Sequence, residues 1–146
     1  MCIRDSLTAR NADGEPFAEE LQPLRVVMGT SEIPTDAKVF LPPGHALHVQ
    51  TRDVRTALDE LWNHDVRTLL VEGGSQVAAA FLRAGVVDEV QYYAAPAMLG
   101  AGVASLRDGT NILGRTMGDI RRFVPRELQV FGNDVRWTMT APGHTP

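Results

Sequence analysis

The residues with the clearest chemical potential lie between Leu69 and Gly85, in the run LLVEGGSQVAAAFLRAG. Glu72 ends an apolar segment, and two glycines and Ser75 separate it from a segment with helical periodicity. In open α/β sheets ligands bind at the carboxyl ends of strands, and a helix N-terminus offers free backbone N–H groups to an anion. Glycines at such a turn allow a phosphate to approach the backbone. The pattern predicts a strand, a turn and a helix that bind an anionic ligand.

A purely structural interpretation of the same run stays open. Two glycines also make a tight strand-to-helix turn without any ligand, and Glu72 is then a solvated side chain at the start of the helix. Two phosphate motifs are excluded, because the run has no lysine for a P-loop and lacks the Gly-x-Gly-x-x-Gly spacing of the dinucleotide fingerprint. The residues alone therefore do not decide between the two interpretations.

The segments around this run indicate an α/β fold, with mainly parallel pairing in the middle of the chain. Strands are predicted at Leu24–Met28, Ala46–Gln50, Arg67–Val71 and Asp88–Ala95, and the third is expected to be buried on both faces. One helix is predicted from Val54 with Asp53 as its cap, and a second at Gln76–Ala84 with Gly85 after it. Two alternating strands, Glu127–Phe131 and Val135–Thr140, predict a C-terminal antiparallel hairpin. Trp62 is expected to pack in the core, and Tyr92 and Tyr93 are expected to pack in the core or in an interface.

Composition and charge argue against several classes of function. The 146 residues are 44% hydrophobic and 22% charged, as in a soluble single-domain protein. The net charge of −4 and the absence of a basic stripe argue against a nucleic-acid partner. The single cysteine and the scattered histidines predict no metal site. No run reaches the ~18 apolar residues of a membrane helix, and no signal peptide is evident, so a cytoplasmic protein without a membrane partner is predicted.

The longer run VEGGSQVAAAFLRAGVVDEVQYYAAPAMLGAG resembles the reductase domain of the bifunctional riboflavin biosynthesis protein. The segments Leu7–Arg10 and Pro23–Met28 resemble two further stretches of that family, so that the resemblance covers about Leu7 to Thr140. It implies a dihydrofolate-reductase-like fold and an oxidoreductase of riboflavin biosynthesis. The implied reaction is the NADPH-dependent reduction of 5-amino-6-(5-phosphoribosylamino)uracil to the ribitylamino product. The implied partners are this phosphorylated pyrimidine and a second copy of the chain in a homodimer.

The resemblance also implies roles for individual residues. Glu72 corresponds to a substrate-binding glutamate, and Leu7 and Arg10 correspond to a substrate-contacting segment. Thr30 corresponds to a hydroxyl residue that contacts the cofactor. The helix start that lies against NADPH corresponds to Gly74, Ser75, Gln76, Val77, Ala78, Ala79 and Ala80. No residue is assigned as a catalytic proton donor, and structural alternatives are a core position for Leu7, a turn for Thr30 and a solvated arm for Arg10.

The same resemblance sets expectations for domain organisation. Met1–Ser6 does not resemble the family and is interpreted as a non-native leader. Residues 7–146 are expected to be the C-terminal part of a single reductase domain whose first third is missing. The chain alone is expected to be inactive, and either poorly soluble or dependent on dimerisation for folding. Two other functions stay open: a related pyrimidine or pterin reductase of the same fold, and an inactive nucleotide-binding fragment.

Overall fold

A computed structural model describes residues 5–98, 100–102, 104–107 and 116–143. The chain divides into two units, Met1–Leu70 and Val71–Pro146. The secondary structure is mixed α/β, with one parallel and one antiparallel sheet. Within the described residues, no helix has the length and apolar character needed to span a membrane.

The first unit is built on a parallel strand pair and one helix. Strand β1 (Arg25–Met28) pairs with β2 (Ala46–Val49), and helix α1 (Val54–Asn63) follows. Both strands confirm the sequence predictions to within one residue at each end, and the helix begins at the predicted residue. Ala57 and Leu61 of α1 lie one turn apart and bury against Val49, which is fully buried. Half-buried apolar residues surround this core cluster: Val26, Met28, Leu47, Val66 and Leu69.

Helix α1 begins at the predicted cap. The Asp53 carboxylate accepts hydrogen bonds from the Thr56 backbone N–H and from the Thr56 hydroxyl, both at 2.8 Å. These bonds satisfy one of the N–H groups that a helix start leaves without an intrahelical acceptor. The Thr56 backbone and hydroxyl bonds hold the pKa of Asp53 below its ordinary value of 3.8.

The lowered pKa of Asp53 makes the cap dependent on pH. Because its pKa is lower in the folded state, the charged carboxylate stabilises the fold above pH 3.8 and this contribution is lost as the pH falls towards the lowered value. An Asp53→Ala variant is expected to melt about 4 °C below the wild type at neutral pH. The difference should shrink at about pH 3 in thermal melts followed by circular dichroism. An Asp53→Asn variant keeps the oxygen acceptor and should melt close to the wild type at neutral pH; an Asp53→Ala gap that is the same at both pH values would contradict the assignment.

The second unit consists of a helix and a three-stranded antiparallel sheet. Helix α2 (Ser75–Ala84) ends at Gly85, whose φ of 69° is the left-handed conformation predicted for a C-terminal cap. Strands β3 (Glu89–Ala94), β4 (Val124–Phe131) and β5 (Asp134–Thr140) follow in the order β3-β5-β4. The tight turn between β4 and β5, with Gly132 at a φ of 61°, confirms the predicted hairpin.

Two predictions about the sheet are wrong. Residues 67–71 do not form a strand, and Leu70 is 76% exposed. A buried strand needs hydrogen-bonded neighbours, and no described strand pairs with this segment. Pairing is also not mainly parallel, because only β1 and β2 pair in parallel among the described strands, while β3 pairs with β5 in the antiparallel sense.

The aromatic residues expected in a core are exposed. Trp62 is 62% exposed and its ring lies 3.8 Å from the guanidinium carbon of Arg67. The buried face of α1 passes through Leu61, and the next residue along a helix is rotated by about 100° from it. Tyr92 and Tyr93 are 50% and 59% exposed on β3. The prediction that Trp62 packs in the core is therefore wrong. For Tyr92 and Tyr93 the core position is wrong, and the interface position stays a prediction.

Candidate functional site

The turn before α2 contains one glycine that packing requires. A Cβ atom added to Gly73 would lie 2.9 Å from the Val77 Cβ and 3.0 Å from its Cγ1, closer than real Cβ atoms approach such neighbours. The structural interpretation of the two glycines therefore holds for Gly73. Glu72, directly before it, is exposed and its carboxylate is accessible to solvent.

Gly74 is different, because no described residue fills the space beside it. It is the N-cap of α2, with no side-chain cap, and a Cβ added there would meet no atom within 4 Å. Val77 and Ala78 both donate their backbone N–H to the Gly74 carbonyl, at 2.9 and 3.2 Å. Among the described residues, the N–H groups of Ser75 and Gln76 have no acceptor. The start of α2 therefore presents two free donors beside bare backbone, an arrangement that suits an anionic group.

The rest of the predicted cofactor segment continues along α2. The exposed member is Gln76, whereas Ser75 and Val77 are half-buried, as are Ala78 and Ala80. Ala79 is fully buried. Within this segment, Gln76 is therefore the residue whose side chain is most open to a ligand.

Arg107 lies beside the start of α2, although the sequence analysis did not single it out. Its backbone N–H donates to the Ser75 carbonyl at 3.1 Å. This bond joins the backbone at Arg107 to the first turn of α2. It lies 32 positions beyond Ser75 in the chain, in a glycine-rich stretch without periodicity, so no local pattern pointed to it.

Thr30 lies in the first unit, after the carboxyl end of β1. It is exposed and follows Gly29, whose N–H donates to the Val49 carbonyl at 3.1 Å. The Nε2 atom of His48 lies 2.7 Å from the Gly29 carbonyl oxygen, so this ring joins β2 to the residue before Thr30. His48 is half-buried in β2.

Leu7 and Arg10 lie on the chain segment that precedes β1. Leu7 is 36% exposed and has a φ of 49°, so it is not the core residue of the structural alternative. Arg10 is exposed, and its Nη1 donates to the Gly14 carbonyl at 2.8 Å. This bond belongs to a small turn in which the Asn11 side chain accepts from Asp13 and Glu15 N–H groups.

The structure therefore places the predicted residues in three groups. Glu72 and the start of α2 are contiguous in the second unit. In the first unit, Thr30 stands at the end of β1, and Leu7 and Arg10 stand on the preceding segment. Among the described residues, no three His, Cys, Asp or Glu side chains converge as they would around a metal ion.

The chain matches the model of a known family over most of its length. The family described as the RibD C-terminal domain matches residues 1–136. The Riboflavin biosynthesis protein RibD of Mycobacterium tuberculosis is 39% identical over 103 residues, which are 70% of this chain and 29% of that protein. The RibD of Corynebacterium ammoniagenes is 39% identical over 101 residues, again 29% of the relative. The chain thus spans less than a third of the length of these relatives.

Two solved structures share the fold of this chain. Form 2 of Acinetobacter baumannii RibD superposes with a TM-score of 0.74 at 24% identity, covering 94% of this chain and 43% of that one. The Thermotoga maritima diaminohydroxyphosphoribosylaminopyrimidine deaminase/5-amino-6-(5-phosphoribosylamino)uracil reductase gives a TM-score of 0.72 at 19% identity, covering 94% and 41%. At these identities the likeness concerns the fold alone. Given the match to the family model over residues 1–136, the chain belongs to the RibD C-terminal domain family.

Proposed function

We propose that this chain provides part of an NADPH-dependent reductase of riboflavin biosynthesis, which reduces 5-amino-6-(5-phosphoribosylamino)uracil to the ribitylamino product. Membership of the RibD C-terminal domain family supports the pathway, and the name of the Thermotoga maritima protein supports the reaction. The observation that carries the proposal is the start of α2, where two N–H groups without an acceptor among the described residues adjoin the open side of Gly74. This arrangement fits the pyrophosphate of a dinucleotide.

The residues of this chain would bind and orient the two reactants. Ser75 and Gln76 would donate their N–H groups to the cofactor pyrophosphate. In the first unit, the Thr30 hydroxyl stays the proposed cofactor-contacting group. When bound, NADPH supplies the hydride that reduces the ribosyl C1 in its open imine or aldehyde form. The protein contributes binding and orientation, which is the usual division of labour in cofactor enzymes.

The remaining candidates would bind the substrate. The exposed Glu72 carboxylate can accept hydrogen bonds from N–H groups of the pyrimidine. The Arg10 guanidinium can grip two phosphate oxygens at once, because its N–H groups form a planar fork. Leu7 would add an apolar contact. No described residue is assigned as a proton donor.

We also propose a dihydrofolate-reductase-like arrangement and a homodimer located in the cytoplasm. The first is supported by the structural likeness to RibD proteins. The second is supported by exposed apolar side chains on neighbouring strands, where Tyr92 and Leu128 both lie opposite Trp137. An apolar surface of this kind is more typical of an interface than of a monomer surface.

The proposal is tested by titrating the purified chain with NADPH, with NADH and with the phosphorylated pyrimidine. Binding is the readout, since the chain alone is expected to lack turnover. Saturable binding with a preference for NADPH is expected. A Glu72→Gln variant should bind the pyrimidine about tenfold more weakly and NADPH as tightly as the wild type. The exposed Glu20 lies outside the proposed site, so Glu20→Gln is the matched control.

The other open functions correspond to distinct results of these titrations. Binding of NADPH together with a different pyrimidine or a pterin, in preference to the phosphorylated pyrimidine, would assign a related reductase. A folded chain that binds neither NADPH nor NADH would contradict the proposal and indicate a fold without a working cofactor site.

A further inference from the structure

Gln22 holds the segment that carries the two proposed substrate residues of the first unit. We call residues 6–10 the N-terminal arm. The Gln22 Oε1 accepts from the Ala9 N–H at 2.9 Å, and its Nε2 donates to the Ala9 carbonyl at 3.1 Å and to the Phe17 carbonyl at 2.8 Å. A side-chain amide that pairs with both backbone groups of one residue fixes the position of that residue as a strand neighbour would.

Arg25 holds the other end of the arm. Its side chain starts from β1 and is 2% exposed. Nη1 donates to the Ser6 carbonyl at 3.0 Å, and Nη2 donates to the Leu41 and Gly44 carbonyls, each at 2.9 Å. A buried guanidinium with its N–H groups on main-chain carbonyls joins three separate segments of the chain.

Leu7 lies between the two residues that are held in this way. Its φ of 49° is in the left-handed region, which a leucine rarely adopts. Such a conformation persists where flanking contacts fix the backbone, and strained residues concentrate where proteins contact ligands. Here Arg25 fixes Ser6 on one side of Leu7 and Gln22 fixes Ala9 on the other.

We propose that Gln22 and Arg25 are positioning residues for the substrate. They hold the N-terminal arm so that Leu7 and Arg10 are preformed for binding. This inference rests on the function proposed above, because it takes the arm to be a substrate contact. Its energetic basis is preorganisation: an arm that is already ordered loses less conformational freedom when the substrate binds.

The test compares substrate and cofactor affinity in Gln22 variants of the full chain. A Gln22→Met variant keeps the length of the side chain and removes its three hydrogen bonds, so it should bind the phosphorylated pyrimidine about tenfold more weakly. Its affinity for NADPH should stay unchanged. A Gln22→Glu variant keeps an acceptor for the Ala9 N–H and should give an intermediate loss. Gln91, an exposed glutamine bonded to Glu89, provides the control Gln91→Met, which should bind both ligands as the wild type does.

Hydrogen exchange of the arm gives a second readout that needs no ligand. The Ala9 amide should exchange about tenfold faster in Gln22→Met than in the wild type, because its acceptor is gone. Three results in Gln22→Met would each overturn the positioning role: unchanged exchange of the Ala9 amide, unchanged affinity for the pyrimidine, or an equal loss of affinity for the pyrimidine and NADPH. A wild-type chain that binds NADPH but not the pyrimidine would remove the proposed substrate, and with it this inference. Wild-type binding with no effect in Gln22→Met would remove the inference alone.

Discussion

The free energy of unfolding of an Arg25→Met variant is expected to be lower than that of the wild type by at least about 3 kcal/mol. The side chain is 2% exposed, and its guanidinium donates to the carbonyls of Ser6, Leu41 and Gly44. Methionine fills much of the same volume but donates nothing, so these carbonyls lose charge-assisted hydrogen bonds. Hydrogen bonds from charged groups contribute about 1.5–3 kcal/mol each, so the loss of several in one variant is a large part of the stability of a small unit.

The effect is measured by urea unfolding with a probe in the first unit. The chain has two tryptophans, Trp62 and Trp137, so a Trp137→Phe background leaves the fluorescence of Trp62 to report on that unit. The exposed Arg52 provides the matched control Arg52→Met, which should unfold as the background does. Arg25→Lys keeps a charge but not the planar fork, and should fall between the two. An Arg25→Met midpoint equal to that of Arg52→Met would show that the carbonyl contacts do not stabilise the unit.

The elements that could be predicted from the sequence are those with local signals. Asp53 marks the start of α1 through a hydrogen bond to a residue three positions on, and Gly85 marks the end of α2 through its own backbone conformation. The turn at Gly132 is equally local. In each case the interacting groups lie within a few residues of each other, so the pattern contains the whole interaction.

The predictions that failed depend on contacts between distant residues. The apolar second half of the segment 67–71 indicated a buried strand. A strand also needs a hydrogen-bonded neighbour, which lies elsewhere in the chain and is not visible in the segment itself. The role of Arg25 could not be predicted for the same reason, because its guanidinium interacts with backbone groups 16 to 19 positions away. The one local sign of its role was a charged residue inside the apolar segment LRVVM.

The features of the candidate site likewise differ in whether they depend on local or on distant contacts. The open backbone at Gly74, and the N–H groups of α2 that have no acceptor among the described residues, follow from a glycine at a helix start, which the sequence shows. That Gln22 reaches back to Ala9 follows only from the path of the chain between them. The packing at Gly73 could be predicted only in part. Val77 is close in the sequence, four residues away, but the clash depends on the angle of the turn.

The two neighbouring glycines are expected to respond to substitution in opposite ways. A Gly74→Leu variant should introduce no clash with the described residues, because a Cβ there meets none of their atoms within 4 Å and its φ of −60° suits any residue. Its loss of stability should be only that of a poorer N-cap, about 1 kcal/mol. It should bind NADPH about a hundredfold more weakly, since the side chain stands where the pyrophosphate would reach two N–H donors. A Gly73→Ala variant should lose about 1–3 kcal/mol of stability from overpacking against Val77 and retain most of its NADPH affinity.

Thermal melts and NADPH titrations of the same variants separate these effects. If the Val77 side chain is the cause of the Gly73→Ala loss, a Gly73→Ala/Val77→Ala double variant should be more stable than the sum of its single changes allows. A Gly74→Ala variant should fall between the wild type and Gly74→Leu in NADPH affinity, because a methyl group blocks less of the approach. If Gly74→Leu instead binds NADPH normally, the pyrophosphate does not lie at the start of α2.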